Sequence, residues 1–556
     1  MKTLVYTLTI VLLCATITHA QSKNQIIVQL HKGNDVKELA TSYQFYKGQN
    51  TELYSKQLLS KQLNIWLLEF NDKKVKPREL LAEIKTNRAV NVAQMNYEVK
   101  FRATPNDPLY TTQWQYDNNG SDYGVADADI DAPAAWDVTT GGTTVTGEEI
   151  VIAIVDGGID LNHPDLRNNI WTNTGEIPNN GIDDDNNGFV DDFYGWNFNQ
   201  DTNDVGNDGA GSWHGSPVMG IIGAEGNNGI GVTGVNWNVK VMNLIGNNDD
   251  ASVVAAYSYM LEMRTRYNES NGEEGAFVVA TNASLGRSGH PDDAAIWCSM
   301  YDALGAAGIV SAGATSNSSI NVDIDERGDI PTTCPSEYLI SVTNTNNRDE
   351  TVGAGYGAIN IDLAAPGAGA YTVRNLGGED AFGGTSAATP HVAGAIGLLY
   401  SAPVPEFMDD VRQSPSETAR RVRNFILQGV DQVADLQGIT VTGGRLNLYN
   451  SLRNLEEYYG IEGEIFPSDA VFINAISPNP TSDNVEIEVK LFETTSLTLK
   501  IYNSFGQMLR RESIGRVDRG LHRRSFSFAD MPKGVYFVTA TANNFGTVVG
   551  QKIIVE

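Results

Sequence analysis

Hydrophobic and polar positions fall into three textures along the chain. Between Gln25 and about Arg102, short apolar runs such as Gln25-Ile26-Ile27-Val28 and Asn64-Ile65-Trp66-Leu67-Leu68 alternate with polar, helix-compatible stretches. Pro77 to Thr86 is one of these, with proline at a first helical position, where its missing N–H removes no bond. The pattern predicts a compact α+β unit closed by the loop signal Ala103-Thr104-Pro105-Asn106-Asp107-Pro108.

The long middle region alternates strand and helix. Glu149-Ile150-Val151-Ile152-Ala153-Ile154-Val155 is almost continuously apolar and rich in β-branched residues, as strands buried on both faces are. Val239 to Leu244, Phe277 to Ala280 and Ile309 to Ser311 follow, with helical stretches at Ser252 to Arg266 and Asp292 to Ala307. This order predicts an α/β fold: a parallel sheet with right-handed crossovers, flanked by helices. Sites in such sheets gather at the carboxyl ends of strands. From about Ile473 the period changes to two, in Val485 to Lys490, Leu497 to Tyr502 and Val535 to Thr541. Turn signals such as Asn503-Ser504-Phe505-Gly506 separate these runs, which predicts a small antiparallel β-sandwich.

Composition narrows the classes. A chain of 556 residues, 41% hydrophobic with 55 glycines, is long enough for several cores and loop-rich. Its net charge of −29 repels phosphate backbones and argues against nucleic acid as a partner. Residues 1–20 read as an export signal: Lys2, the apolar run Leu4 to Ala15, then Thr18-His19-Ala20 as a small-residue cleavage site. That run is too short to span a bilayer, and no later segment is apolar enough, so no transmembrane segment is expected. Beyond the signal only Cys298 and Cys334 remain; they form one disulfide or stand as separate buried thiols.

Three residues then attract notice. Asp156 ends the strongest strand, in VDGGIDLNHPDL; His214 stands in GSWHGSPVMGIIGA; Ser386 stands in GTSAATPHVAG, after glycines at 383 and 384. Each lies at a strand end or helix start. A serine hydroxyl needs a base to take its proton and an acid to hold that base. The helix after Ser386 aims backbone amides at charge developing on an attacked carbonyl.

Here the sequence resembles the subtilisin-like serine peptidases. The order Asp, His, Ser is theirs. IVDGGID is similar to their aspartate motif, HGSPVMG to H-G-T-H-V-A-G, and GTSAATPHVAG to G-T-S-M-A-x-P-H-V-A-G. The resemblance runs from about Asn106 to Tyr449. It implies a secreted serine endopeptidase with catalytic Asp156, His214 and Ser386, the N–H of Ser386 donating to the oxyanion. NASLG, residues 282 to 286, resembles the strand that binds substrate backbone, which assigns that role to Ser284, Leu285 and Gly286.

The pattern breaks at one place that matters. The family's second oxyanion donor is an asparagine after Ala-Gly, but GIVSAGATSNSS puts Ala314 there. Asn317, the nearest following amide side chain, is the expected substitute; a polar loop residue is the competing interpretation. If nothing substitutes, the alternative is a weak or inactive subtilisin-fold protein that binds at the surface.

Further expectations follow the same route. In NNGIDDDNNGFVDD, Asp183, Asp185, Asn187, the Phe189 carbonyl and Asp191 space oxygen donors as a structural Ca²⁺ loop does. Tyr194 replaces the closing glutamate of an EF-hand, so the loop is of another kind. Residues 21–104 resemble a propeptide of the family, the chain's own intramolecular inhibitor, and 105–458 its peptidase domain. Residues 470–556 resemble the sorting domains read by type IX secretion machinery, through SPNPTSDNVEIEV, IYNSFGQML, MPKGVYFVTA and VVGQKIIVE. The expected partners are protein or peptide substrates and that machinery. The expected location is outside the cell or on its surface, across both membranes of a Gram-negative bacterium. No H-E-x-x-H set supports a metallohydrolase.

Overall fold

The structure, a computed structural model, describes residues 24–96, 103–206, 212–460, 471–491, 495–503, 507–517, 520–542 and 547–555. The export signal read at 1–20 lies outside them. The chain divides into two compact units at Phe101/Arg102.

The first unit is an antiparallel sheet in the order Tyr54–Ser60, Ile65–Glu69, Gln25–Leu30, Val90–Met95, with helices Val36–Ser42 and Pro77–Lys85. Alternate residues Ile26, Val28 and Leu30 bury one face against Leu39, Leu80 and Ile84. Asp35 starts the first helix by accepting the N–H of Lys37.

In the second unit the central sheet runs Asp431–Gln432, Gly444–Arg445, Leu363–Pro366, Leu339–Thr345, Val310–Ala314, Val278–Ala283, Val151–Asp156, Lys240–Ile245, Gly195–Asn197. All pairings are parallel except the outermost, between Asp431–Gln432 and Gly444–Arg445. Strand alternation sorts the core. Ile152 and Ile154 face one way, against Val218 and Ile222 of helix Ser212–Gly223 and Val392 and Ile396 of helix Thr385–Tyr400. Val151, Ala153 and Val155 face the other way, against Val253, Tyr257 and Met260 of helix Asp250–Ser270 and Trp297 and Tyr301 of helix Ala295–Ala307. Each fully buried Ile or Val contributes about 1.5–3 kcal/mol, so this strand is held from both faces. It is the axis that fixes Asp156.

The central-sheet strands Val151–Asp156, Lys240–Ile245, Val278–Ala283 and Val310–Ala314 begin one or two residues later than the apolar runs predict and continue further. Val278–Ala283 takes in Thr281 and Asn282, both without exposure. In Leu339–Thr345 the apolar run is interrupted by Ser341 and Thr343, buried polar residues whose hydroxyls donate to Thr332 O and Gly355 O. Cys298 and Cys334 are joined as a disulfide.

The C-terminal strands form two antiparallel sheets. Val471–Ser477, Asn484–Leu491 and Gly520–Ser527 make one; Met508–Val517, Thr495–Asn503, Gly534–Ala542 and Thr547–Val555 make the other. Their apolar faces, including Ile473, Ile487, Leu499, Val538 and Ile553, share one core.

Candidate active site

Asp156 is the last residue of the central strand and is almost wholly buried. His214 lies in the first turn of helix Ser212–Gly223, and its Nδ1 is 2.7 Å from Asp156 Oδ1. A carboxylate oxygen accepts, so the shared proton is carried on Nδ1 and the ring's lone pair is on Nε2. The approach requires a glycine: a Cβ at Gly215 would lie 2.6 Å from Gly157 O and 2.7 Å from Gly158 O. Asp156 Oδ1 also accepts the N–H of Gly157 at 2.7 Å. Burial by itself would lower the imidazole pKa. The charge of Asp156 and the hydrogen bond to it outweigh that, and the net shift is upward from 6.5. Phe382 stacks edge-on against the ring, centroids 5.4 Å apart, and limits its rotation.

Ser386 is in the first turn of helix Thr385–Tyr400, which packs against the helix carrying His214. Its backbone is set by Gly384, whose φ of +86° belongs to the left-handed region, where a Cβ would also collide with Asn317 Oδ1 at 2.6 Å. Ser386 Oγ donates to Ser284 O at 3.3 Å, and Ser284 Oγ donates to Ser386 O at 3.0 Å. This ties the segment Ser284-Leu285-Gly286 to the helix start. The N–H groups opening a helix have no intrahelical acceptor. That of Thr385 is taken by Asn317; that of Ser386 comes next.

Asn317 follows the strand Val310–Ala314 across a short loop. Its Oδ1 accepts the Thr385 N–H at 2.9 Å and the Thr385 hydroxyl at 3.1 Å. Because a backbone N–H can only donate, the side-chain atom facing it must be oxygen, and the Nδ2 amino group turns the other way. Ser386, Asn317, Ala314 and the segment Ser284-Leu285-Gly286 line one cavity of ≈ 290 Å³, completed by Thr315, Arg327, Gly328 and Asp329. The other motif histidine, His391, has no such setting. It is fully buried, lowered to about 4 by that burial, and its Nδ1 faces Ala387 O.

In the acidic loop, carboxylate oxygens of Glu176, Asp183 and Asp185 lie within 4.8 Å of one another. Glu176 is the member that the sequence pattern did not single out, because its approach is set by the loop's path rather than by spacing. Asp191 turns aside to accept the N–H groups of Asn180 and Gly181, each at 2.9 Å. Asn187 amide hydrogens reach Asp192 and Asp185, and the Phe189 ring packs on Trp196, Phe198 and Tyr259. Three converging carboxylates suit a hard divalent cation with oxygen ligands.

Two further acids, Asp107 and Asp165, are buried elsewhere in the same unit. Asp107 accepts from the N–H groups of Asn227 and Asn228, and Asp165 from Asn228 Nδ2 and the N–H of Val232. Burial raises both carboxyls, Asp165 to about 7.

The chain is also similar in sequence to known proteins. Residues 147–438 match the subtilase family, and residues 475–556 match the secretion system C-terminal sorting domain. A subtilisin-like protease 1 of Plasmodium berghei is 29% identical over 334 residues, 56% of this chain and 51% of that protein. Thermitase of Thermoactinomyces vulgaris is 26% identical over 63% of this chain and 99% of its own length. A solved protease structure from Pseudoalteromonas arctica is 23% identical, with a TM-score of 0.44, over 63% of this chain and 99% of that one. The chain spans about half the length of the first of these relatives, 51%. The sorting domain indicates secretion or surface localisation, and among the described residues no helix is long and apolar enough to cross a membrane.

Proposed function

The chain belongs to the subtilase family, and from that premise we propose that it is a secreted serine endopeptidase working through Asp156, His214 and Ser386. The observation that carries this reading is the Asp156–His214 hydrogen bond at the strand end, beside the helix that begins at Thr385. Ser386 Oγ attacks the scissile carbonyl carbon while its proton passes to His214 Nε2. Asp156 keeps the imidazole in the tautomer that can receive that proton and stabilises the resulting cation.

The tetrahedral oxyanion is met by the N–H of Ser386 and by Nδ2 of Asn317. Collapse breaks the C–N bond, and the amine leaves with the proton from Nε2. Water, deprotonated by His214, then hydrolyses the acyl-Ser386 ester and restores the hydroxyl. The substrate backbone aligns along Ser284, Leu285 and Gly286. Ala314 alone favours the binding-protein reading; the hydrogen bonds from Thr385 to Asn317 support the peptidase reading.

The same proposal assigns residues 1–20 to a signal, 21–104 to a propeptide that inhibits its own chain, 105–458 to the peptidase domain and 470–556 to the sorting domain. Type IX machinery would read the last of these. Glu176, Asp183 and Asp185 would hold a structural Ca²⁺ that ties down the acidic loop. Incubating the processed chain with casein tests the function. Digestion that disappears in Ser386→Ala supports it; digestion by both proteins, or by neither, opposes it.

A further inference from the structure

The cavity beside Ser386 contains a charge that the catalytic scheme leaves unused. Its walls are the segments 284–288 and 314–318, and it is closed by Arg327, Gly328 and Asp329. Segment 284–288 is fixed to that closing loop through paired backbone bonds, Arg287 N to Ile330 O and Ile330 N to Arg287 O, both 2.8 Å. Gly286 permits the approach: a Cβ there would lie 2.5 Å from Ile330 O. Asp329 therefore stands on the same rigid support as the residues proposed to align substrate.

The Asp329 side chain is held in one orientation. Thr315 Oγ1 donates to Oδ2 at 2.7 Å, Ser316 N–H donates at 3.2 Å, and Thr332 Oγ1 donates to the same oxygen. All three donors among the described residues meet Oδ2, which leaves Oδ1 to the cavity. The residue is 4% exposed. Three neutral donors offset part of the desolvation of a carboxylate, but among the described residues no cation pairs with it.

Both arginines that line the cavity are engaged elsewhere. Arg287 makes a bidentate pair with Asp250, Nε to Oδ1 at 2.7 Å and Nη2 to Oδ2 at 2.6 Å. Arg327 pairs with Asp325 through Nε and Nη2, both at 2.9 Å. Each arginine thus has its own carboxylate partner, which leaves Asp329 as the lining charge without a counter-ion among the described residues. A side chain entering beside Ser386 would share this cavity with Asp329. A buried carboxylate gains most from a cation that arrives already desolvated and supplies hydrogen-bond donors.

We propose that Asp329 is a specificity-determining residue that selects lysine or arginine immediately before the scissile bond. The proposal rests on the peptidase reading above and adds the substrate class to it. The opposite charge is excluded by the same residue: an acidic side chain would place two carboxylates together in a low-dielectric cavity. Burial raises the carboxyl pKa, and a cation entering beside it would act in the opposite direction.

Two measurements test this and separate its failure from that of the peptidase reading. In the first, a peptide library is digested by wild type, Ser386→Ala and Asp329→Asn. The amide introduced by Asp329→Asn keeps an acceptor for Thr315, Ser316 and Thr332, removes the charge and turns an NH2 donor to the cavity in place of Oδ1. Wild type should cut after Lys or Arg at least about 100-fold faster in kcat/KM than after Gln or Met, as expected for removal of one partner of a desolvated charge pair. Asp329→Asn should lose that preference through KM, so that its kcat/KM ratio for Lys or Arg over Gln or Met falls toward one.

In the second, benzamidine is titrated against wild type, Ser386→Ala and Asp329→Asn and the melting temperature is followed. This arm needs no turnover. Stabilisation of wild type and Ser386→Ala, but not of a folded Asp329→Asn, supports the assignment even if no peptide is cut. Cutting that depends on Ser386 without preference for basic residues overturns it and leaves the peptidase reading intact. Absence of any Asp329-dependent benzamidine shift overturns it when no peptide is cut.

Discussion

Asn317 Oδ1 accepts the N–H of Thr385 at 2.9 Å, one residue before Ser386. The same contact that braces the helix start orients the Nδ2 group, so an asparagine displaced along its loop can still serve the oxyanion. Asn317→Ala should lower kcat by about 10²–10³-fold with KM little changed, the size of one oxyanion donor's contribution, established in a subtilisin. Asn317→Asp keeps an acceptor for Thr385 and loses the donor, so it should fold like wild type and show a similar loss. Steady-state kinetics with melting curves check both; an unchanged kcat in either variant rules out the role.

The acid limb of kcat/KM should lie above pH 6.5, because His214 must be neutral to act as base and its pKa is raised. Replacing Asp156 by Asn removes both contributions that raise it, so burial dominates and the limb moves to lower pH. The same variant should lose about 10⁴-fold in kcat, since the imidazole is no longer held in the productive tautomer. A pH–rate profile on each protein measures this, and an unmoved limb would mean that the carboxylate does not govern the histidine.

How much of this was legible beforehand differs between elements. The central strand and the helices after His214 and Ser386 announce themselves because burial on both faces demands continuous apolar or small residues. Leu339–Thr345 hides because Ser341 and Thr343 satisfy their hydroxyls internally. Asp156, His214 and Ser386 are readable from motif order. The orientation of Asn317 is not, since it depends on a loop meeting a helix start 68 positions away. Glu176 and Asp329 are silent for the same reason: only the tertiary path of the chain brings the one to Asp183 and Asp185 and the other to the cavity beside Ser386.

Calcium should stabilise the acidic loop. At free Ca²⁺ about 100 times Kd, a site present only in the folded chain adds about 2.7 kcal/mol. EDTA should therefore lower the melting temperature, and Asp183→Asn should abolish most of that response while leaving a folded protein. Differential scanning calorimetry decides it; equal melting temperatures with and without EDTA would remove the site.

Asp165 gives stability an opposite pH trend from that of a paired surface carboxylate. Its folded pKa is raised from 3.8 to about 7, so between those values the folded state binds more protons than the unfolded one. The stabilising contribution is complete below about 4 and is lost as pH rises through about 7. With EDTA present, wild type should lose more melting temperature between about pH 5 and about pH 8 than Asp165→Asn. Parallel curves for the two proteins would show that burial of this carboxyl does not carry the trend.

The most direct examination of the whole account is covalent labelling of the processed chain with a fluorophosphonate, followed by mapping of the adduct by mass spectrometry. The account predicts a stoichiometric adduct on Ser386, absent in Ser386→Ala and formed far more slowly in Asp156→Asn. A folded, processed chain that takes no label, or takes it on another residue, would contradict it.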